Sequence, residues 1–221
     1  MHVVPLAASD AFEPYPQDRL RQLLAQRHGI DFPYFLFSGR WEPRKNIVRL
    51  LQAFSRFKQV CPSEYKLVLT GAKYWELQDA EEAILSGGIS SDILDLGKTP
   101  FEQLPALYAG ARALVFPSLW ESFGLPIVEA MRCGTPVLTS DIAAMPEVAG
   151  DAAVLVDPYS VESIAAAMRR LAEDDALVAR LSANALTRSK SFSWEQSAKL
   201  THQAYEQAHR GNRKRTGRAL Y

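Results

Sequence analysis

The sequence is poor in cysteine, in net charge and in long apolar runs, and each shortage excludes something. Cys61 and Cys133 are its two cysteines, without CxxC spacing. Neither a disulfide framework nor a thiolate metal site is therefore read, and a reducing, cytoplasmic setting with inert thiols is expected. Twenty-five Lys and Arg cancel twenty-five Asp and Glu, which removes the whole-molecule field that recruits nucleic acid or an anionic membrane. Any anion site must be local. Apolar stretches such as 152–156 fall far short of the roughly 20 residues of a bilayer span. The first residues lack a basic region followed by a long apolar run, so no secretory signal is read there. Glycine fingerprints of the GxGxxG and Walker types, a G-x-S-x-G elbow, His/Cys metal spacing and an Asp-x-Asp pair are also absent.

What is there suits a folded α/β domain. Apolar residues make up 48% of the chain, enough for a sizeable core. Between Tyr34 and Val156, short apolar runs alternate with longer segments of helical period, the pattern of a parallel sheet with crossover helices. Strands are expected at 34–38, 66–70, 93–96, 113–116, 136–139 and 153–156, giving a doubly wound, Rossmann-like sheet of about six parallel strands. Asn46 reads as the N-cap of a helix that ends before Cys61-Pro62. A further helix is expected from Trp75 to Leu85. Thr99-Pro100-Phe101-Glu102 reads as a capping box opening another. A helix opens at Leu125 or Pro126 and closes at Gly134. Three Ala-rich helices follow, near 160–173, 176–188 and 194–209. The division expected is an interdomain strand and linker at 1–33, starting with His2-Val3-Val4-Pro5-Leu6, a binding domain at 34–190, a crossover helix at 191–209 and a solvated basic tail at 210–221.

Two constellations carry chemistry. Ser38-Gly39-Arg40 followed by Arg44-Lys45-Asn46 places cations and a helix start at the carboxyl end of a strand, where open α/β sheets bind phosphates. Two surface cations in a loop would give the same spacing. Glu121 through Glu129 combines a loop carboxylate, a Gly124 free of Cβ, a helix N-terminus aimed outward as an anion site, and a second carboxylate in the first turns of that helix. Glu129 makes sense beside a phosphate if it accepts hydrogen bonds from sugar hydroxyls; compensation of the helix dipole is the simpler reading of it. The four histidines, at 2, 28, 202 and 209, lie outside both constellations, so no imidazole base is read in the site.

These residues resemble the carboxyl-terminal, donor-binding domain of retaining GT-B glycosyltransferases of family 4. The matching pieces are Ser38 to Asn46, Leu107 to Ala111, Val115 to Ser118, Glu121 to Met131, Gly134 to Val137 and Pro146 to Pro158, in family order. The resemblance implies a hexosyltransferase acting in surface polysaccharide or glycoconjugate synthesis, with a nucleoside-diphosphate sugar as donor, GDP-mannose favoured over a UDP-sugar. It implies that Arg40 and Lys45 neutralise the donor diphosphate, with Gly39 beside them. Glu121 and the Phe123-Gly124-Leu125 loop would hold the transferred sugar and the phosphates, Glu129 the ribose, and the backbone at Lys98-Thr99 the base. No metal or other cofactor is implied. Many members carry Gly-Gly where this chain has Ala143-Ala144, a departure at backbone that needs positive φ. Members also carry an amino-terminal domain that binds the acceptor and supplies a histidine, expected here as a missing partner, and peripheral contact with the inner face of the membrane would belong to the full-length protein. Expected with these is a terminal helix packed at the edge, with Trp194, Leu200 and Tyr205 partly exposed. The alternative reading is a nucleotide-sugar binding module without catalysis of its own.

Overall fold

Strands buried on both faces must be apolar at successive positions, and the runs at Tyr34–Ser38 (β1), Lys66–Thr70 (β2) and Ala113–Phe116 (β4) meet that condition. With Ile93–Asp95 (β3), Val137–Ser140 (β5) and Ala153–Val156 (β6) they form one parallel sheet of order β3-β2-β1-β4-β5-β6. The computed structural model describes residues 3–61, 63–73 and 78–216, the last six by backbone alone. His2 of the expected first strand, Pro62, Trp75 and the tail from 217 to 221 lie outside the described residues.

Side chains alternate across the sheet and build two cores. Tyr34, Leu36, Leu114 and Phe116 face one layer with Leu20 and Leu24 of Gln17–His28 (α1), Leu107 of Leu104–Gly110 (α4), Ile127 of Leu125–Arg132 (α5) and Met145 of Met145–Ala149 (α6). Phe35, Phe37, Leu69 and Val115 face the other, with Phe54 and Phe57 of Ile47–Val60 (α2), Ala80 of Gln78–Ser86 (α3) and Leu171 of Val161–Glu173 (α7). Each such fully buried large side chain stabilises the fold by about 1.5–3 kcal/mol. Asp175–Ser189 (α8) contributes to both layers.

Several local expectations change. Residues 3–33 hold no strand and instead carry α1. Asn46 does not cap α2 through its side chain; its backbone is left-handed, φ 61°. The capping box does not form, because the Thr99 hydroxyl is paired with that of Thr70 at 2.6 Å. The final helix, Trp194–Thr216 (α9), runs past His209 through Arg210 and Arg213 to Arg215, where a solvated tail was expected. Trp194 and Tyr205 are exposed and Leu200 half-buried, as the edge position requires. Both thiols are free, Cys133 buried and Cys61 half-buried; burial pushes Cys133 up to about 12, far from thiolate chemistry. Among the described residues no helix is long and apolar enough to cross a membrane.

One glycine fixes the rim of the sheet. A Cβ on Gly71, just past β2, would lie 1.9 Å from the Gly39 carbonyl oxygen, so the two strand ends meet backbone to backbone.

Candidate active site at the sheet crevice

The strand order reverses between β1 and β4, and the loops leaving their carboxyl ends diverge to opposite faces. That divergence opens the crevice where such sheets bind ligands. After β1, a short turn, Pro43–Lys45, brings Lys45 back over the sheet, where it is 6% exposed. Its Nζ lies 2.6 Å from Glu121 Oε1 and 4.5 Å from the centroid of the Phe116 ring. Arg44 Nη1 reaches the other Glu121 oxygen at 2.7 Å and its Nε reaches Glu42 at 2.9 Å. Both carboxylate oxygens of Glu121 are thus engaged by cations. Burial depresses the Lys45 ammonium pKa, and Glu121 opposes that shift.

Past Glu121 the chain turns at Gly124, φ 96°, and enters α5 at Leu125. No side chain caps this helix; Pro126 carries no N–H and the Ile127 N–H is donated to the Gly124 carbonyl at 2.9 Å, so the Leu125 N–H is the first-turn donor left for a ligand in the crevice. Phe123 sits edge-on to Phe192 at 5.7 Å between centroids, which ties the loop to the segment before α9. Glu129, one turn into α5, accepts a 2.7 Å hydrogen bond from the buried Tyr108 hydroxyl. Burial lifts the Glu129 carboxyl above its ordinary 4.5, against the pull of Tyr108 and Lys45.

The structure therefore brings Gly39, Lys45, Glu121, Phe123, Gly124, Leu125 and Glu129 to one crevice. A Cβ on Gly39 would lie 3.5 Å from Lys45 Cε. Arg40 is exposed at the start of the same loop, two residues past β1. Lys98 and Thr99 stand further along the carboxyl edge, beyond β2: Thr99 meets Thr70 there, and Lys98 is exposed. Arg44 and Tyr108 hold the two carboxylates, a role that no local pattern assigns to either. A depression of about 320 Å³ adjoins the loop, lined in part by Val4, Phe123, Ala144 and Phe192. A larger cavity, about 600 Å³, lies at the other end of β1 beside Leu24, Tyr34 and Gly110, away from these charged groups.

Comparison with known proteins adds what geometry alone does not. Residues 21–188 match the family described as glycosyl transferases group 1. The O-antigen chain mannosyltransferase B of Escherichia coli is 42% identical over 173 residues, 78% of this chain and 45% of that protein. Among solved structures, a sucrose-phosphate synthase from Thermosynechococcus elongatus is 28% identical with a TM-score of 0.79, over 94% of this chain and 52% of that one. The Anabaena protein Alr3699/HepE, solved in complex with UDP and glucose, shares the fold at 24% identity and a TM-score of 0.76, over 90% and 54% of the two chains. The chain spans about half the length of the relatives it matches. Fold, crevice and matched sequence agree: the chain belongs to the glycosyl transferases group 1 family.

Proposed function

We propose that this chain is the donor-binding half of a family 4, retaining hexosyltransferase. It would take a nucleoside-diphosphate sugar, GDP-mannose in preference to a UDP-sugar, and serve the transfer of the hexosyl group to an acceptor hydroxyl in surface polysaccharide synthesis. The observation that carries this is the meeting of Lys45, Glu121 and the uncapped start of α5 at the reversal between β1 and β4. The mannosyltransferase name of the Escherichia coli relative supports the sugar, and the UDP and glucose of the Anabaena complex support a nucleotide-sugar donor as the class.

In this reading Arg40 and Lys45 face the diphosphate, with the backbone N–H at Leu125 completing the anion site and no metal required. As the bond from the anomeric carbon to the diphosphate oxygen breaks, the leaving group gains negative charge, and fixed donors aimed at it lower the barrier. Glu129 accepts the ribose hydroxyls; Glu121 and the Phe123–Leu125 loop hold the sugar, and the backbone at Lys98-Thr99 meets the base. Retention places the acceptor hydroxyl on the face of the departing diphosphate, whose oxygen receives its proton. Lys45 is paired with Glu121, so donor entry has to draw it away.

A second half would supply the acceptor surface. The share of its relatives that the chain covers favours, for this chain alone, binding without transfer. Titration with GDP, UDP and dTDP in the absence of metal tests the reading. Binding should weaken with salt, and Arg40→Ala should cost about 2 kcal/mol, roughly thirtyfold in Kd. An absolute requirement for Mg²⁺, or unchanged binding in Arg40 and Lys45 variants, overturns the donor site. Coupled release of nucleoside diphosphate by the lone chain overturns the half-enzyme.

A further inference from the structure

Asn46 occupies a backbone position, φ 61°, where glycine is the least strained residue and asparagine the tolerated one. Its side chain is 4% exposed as a residue and fully employed. Nδ2 donates both to the Pro117 carbonyl at 3.0 Å and to the Pro158 carbonyl at 2.7 Å, while Oδ1 accepts from Arg49 Nη1 at 3.1 Å. Both amide hydrogens thus go to carbonyls just past the carboxyl ends of β4 and β6. Oδ1, the atom that would accept a capping bond from the first turn of α2, takes the Arg49 side chain instead.

Those links fasten the two ends of one ion pair. Lys45 is the residue before Asn46 in the chain. Glu121 stands four residues past Pro117, in a loop further bound by the 2.8 Å bond from the Leu119 N–H to the Arg44 carbonyl. We infer that Asn46 is a positioning residue: its amide clamps the loops after β1, β4 and β6 so that Lys45 Nζ is presented at the crevice at a fixed height against Glu121. The inference rests on the donor-site reading for its ligand, and on the geometry above for the placement of Lys45. An aspartate would turn oxygen toward both carbonyls, and a glycine would keep the left-handed turn without the clamp.

The test is a double-substitution cycle on this chain, with titration of GDP and UDP. Asn46→Gly is expected to weaken binding about tenfold in the otherwise intact chain and less than twofold when Lys45 is already alanine, since coupling appears only between groups that act together. Equal loss in both backgrounds would leave Asn46 a purely structural residue and overturn the inference. A ligand-free measurement separates this from failure of the donor reading. The ammonium protons of Lys45, shielded by burial and held by Glu121, should give a protected NMR signal in the parent chain that disappears in Asn46→Gly. If the glycine variant does not fold, Asn46→Asp, which keeps the bulk and the Arg49 bond, should abolish the signal too. An undisturbed Lys45 signal in either variant overturns the inference. If the parent chain binds no nucleoside diphosphate, the donor reading fails while the signal still judges the clamp.

Discussion

Replacing Glu121 by glutamine should move stability and nucleotide binding in opposite directions. The Glu121 carboxylate holds Lys45 at 2.6 Å and Arg44 at 2.7 Å, with Lys45 and Glu121 both nearly excluded from water. Removing one charge of a buried pair leaves the other uncompensated, a loss of about 3 kcal/mol. Glutamine keeps one acceptor but not the charge, so Glu121→Gln should unfold at a clearly lower urea concentration. A diphosphate bound between Lys45 and the start of α5 meets the same carboxylate as a repulsive neighbour and as a competitor for Lys45. At an effective dielectric of about 20, a like charge some 6 Å away costs about 3 kcal/mol. Glu121→Gln should therefore bind GDP or UDP roughly a hundredfold more tightly, an effect that high salt diminishes. Calorimetric titration of both proteins at matched ionic strength reads the sign directly. Weaker binding of the bare nucleotide by the glutamine variant would refute the placement of the phosphates beside Lys45.

Ala143 holds a left-handed backbone, φ 55°, which costs an L-residue about 1–2 kcal/mol. Ala143→Gly should therefore stabilise the fold by about 0.5–1 kcal/mol after the greater freedom of the unfolded glycine is subtracted, and a lower denaturation midpoint would contradict the strain. Glu129 has a folded pKa raised above 4.5 by burial. Above 4.5 the unfolded chain has released a proton that the folded chain keeps, so its contribution to stability falls as pH rises through that window. Glu129→Gln should gain on the parent between pH 4 and 7, and parallel midpoint profiles would refute this. Tyr108→Phe removes the hydroxyl that opposes the shift, so its pH dependence should be steeper than the parent's in the same experiment.

The sheet was legible because strands buried on both faces write themselves as short, solid apolar runs: Phe35-Leu36-Phe37 and Leu114-Val115-Phe116 admit no other partner than two helical layers. The start of α5 was legible too, since Gly124 followed by Leu125-Pro126 is a local signal. The site's connections were not. Lys45 and Glu121 are 76 residues apart and Asn46 reaches carbonyls 71 and 112 residues away, distances at which no local pattern speaks. Asn46 looked like a cap because capping is what a short amide does when nothing more distant claims it. Thr99 misled in the same way, its hydroxyl taken by Thr70 from a neighbouring strand. Helix α1 escaped notice because its polar stretch carries only Leu20 and Leu24 into the core.

The alternation of side chains across the sheet gives the crevice two independent foundations. Lys45 leads into α2, which is rooted in the layer of Phe54 and Phe57, whereas Glu129 rides on α5 in the opposite layer with Ile127 and Met131. Substitutions within one layer can shift its own half of the site by fractions of an ångström while the other half stays put. Sequence drift in the two layers would thus act as two separate adjusting screws on the gap between the cationic and the carboxylate walls, a way for relatives of one fold to accommodate different sugars without exchanging a single residue that touches them.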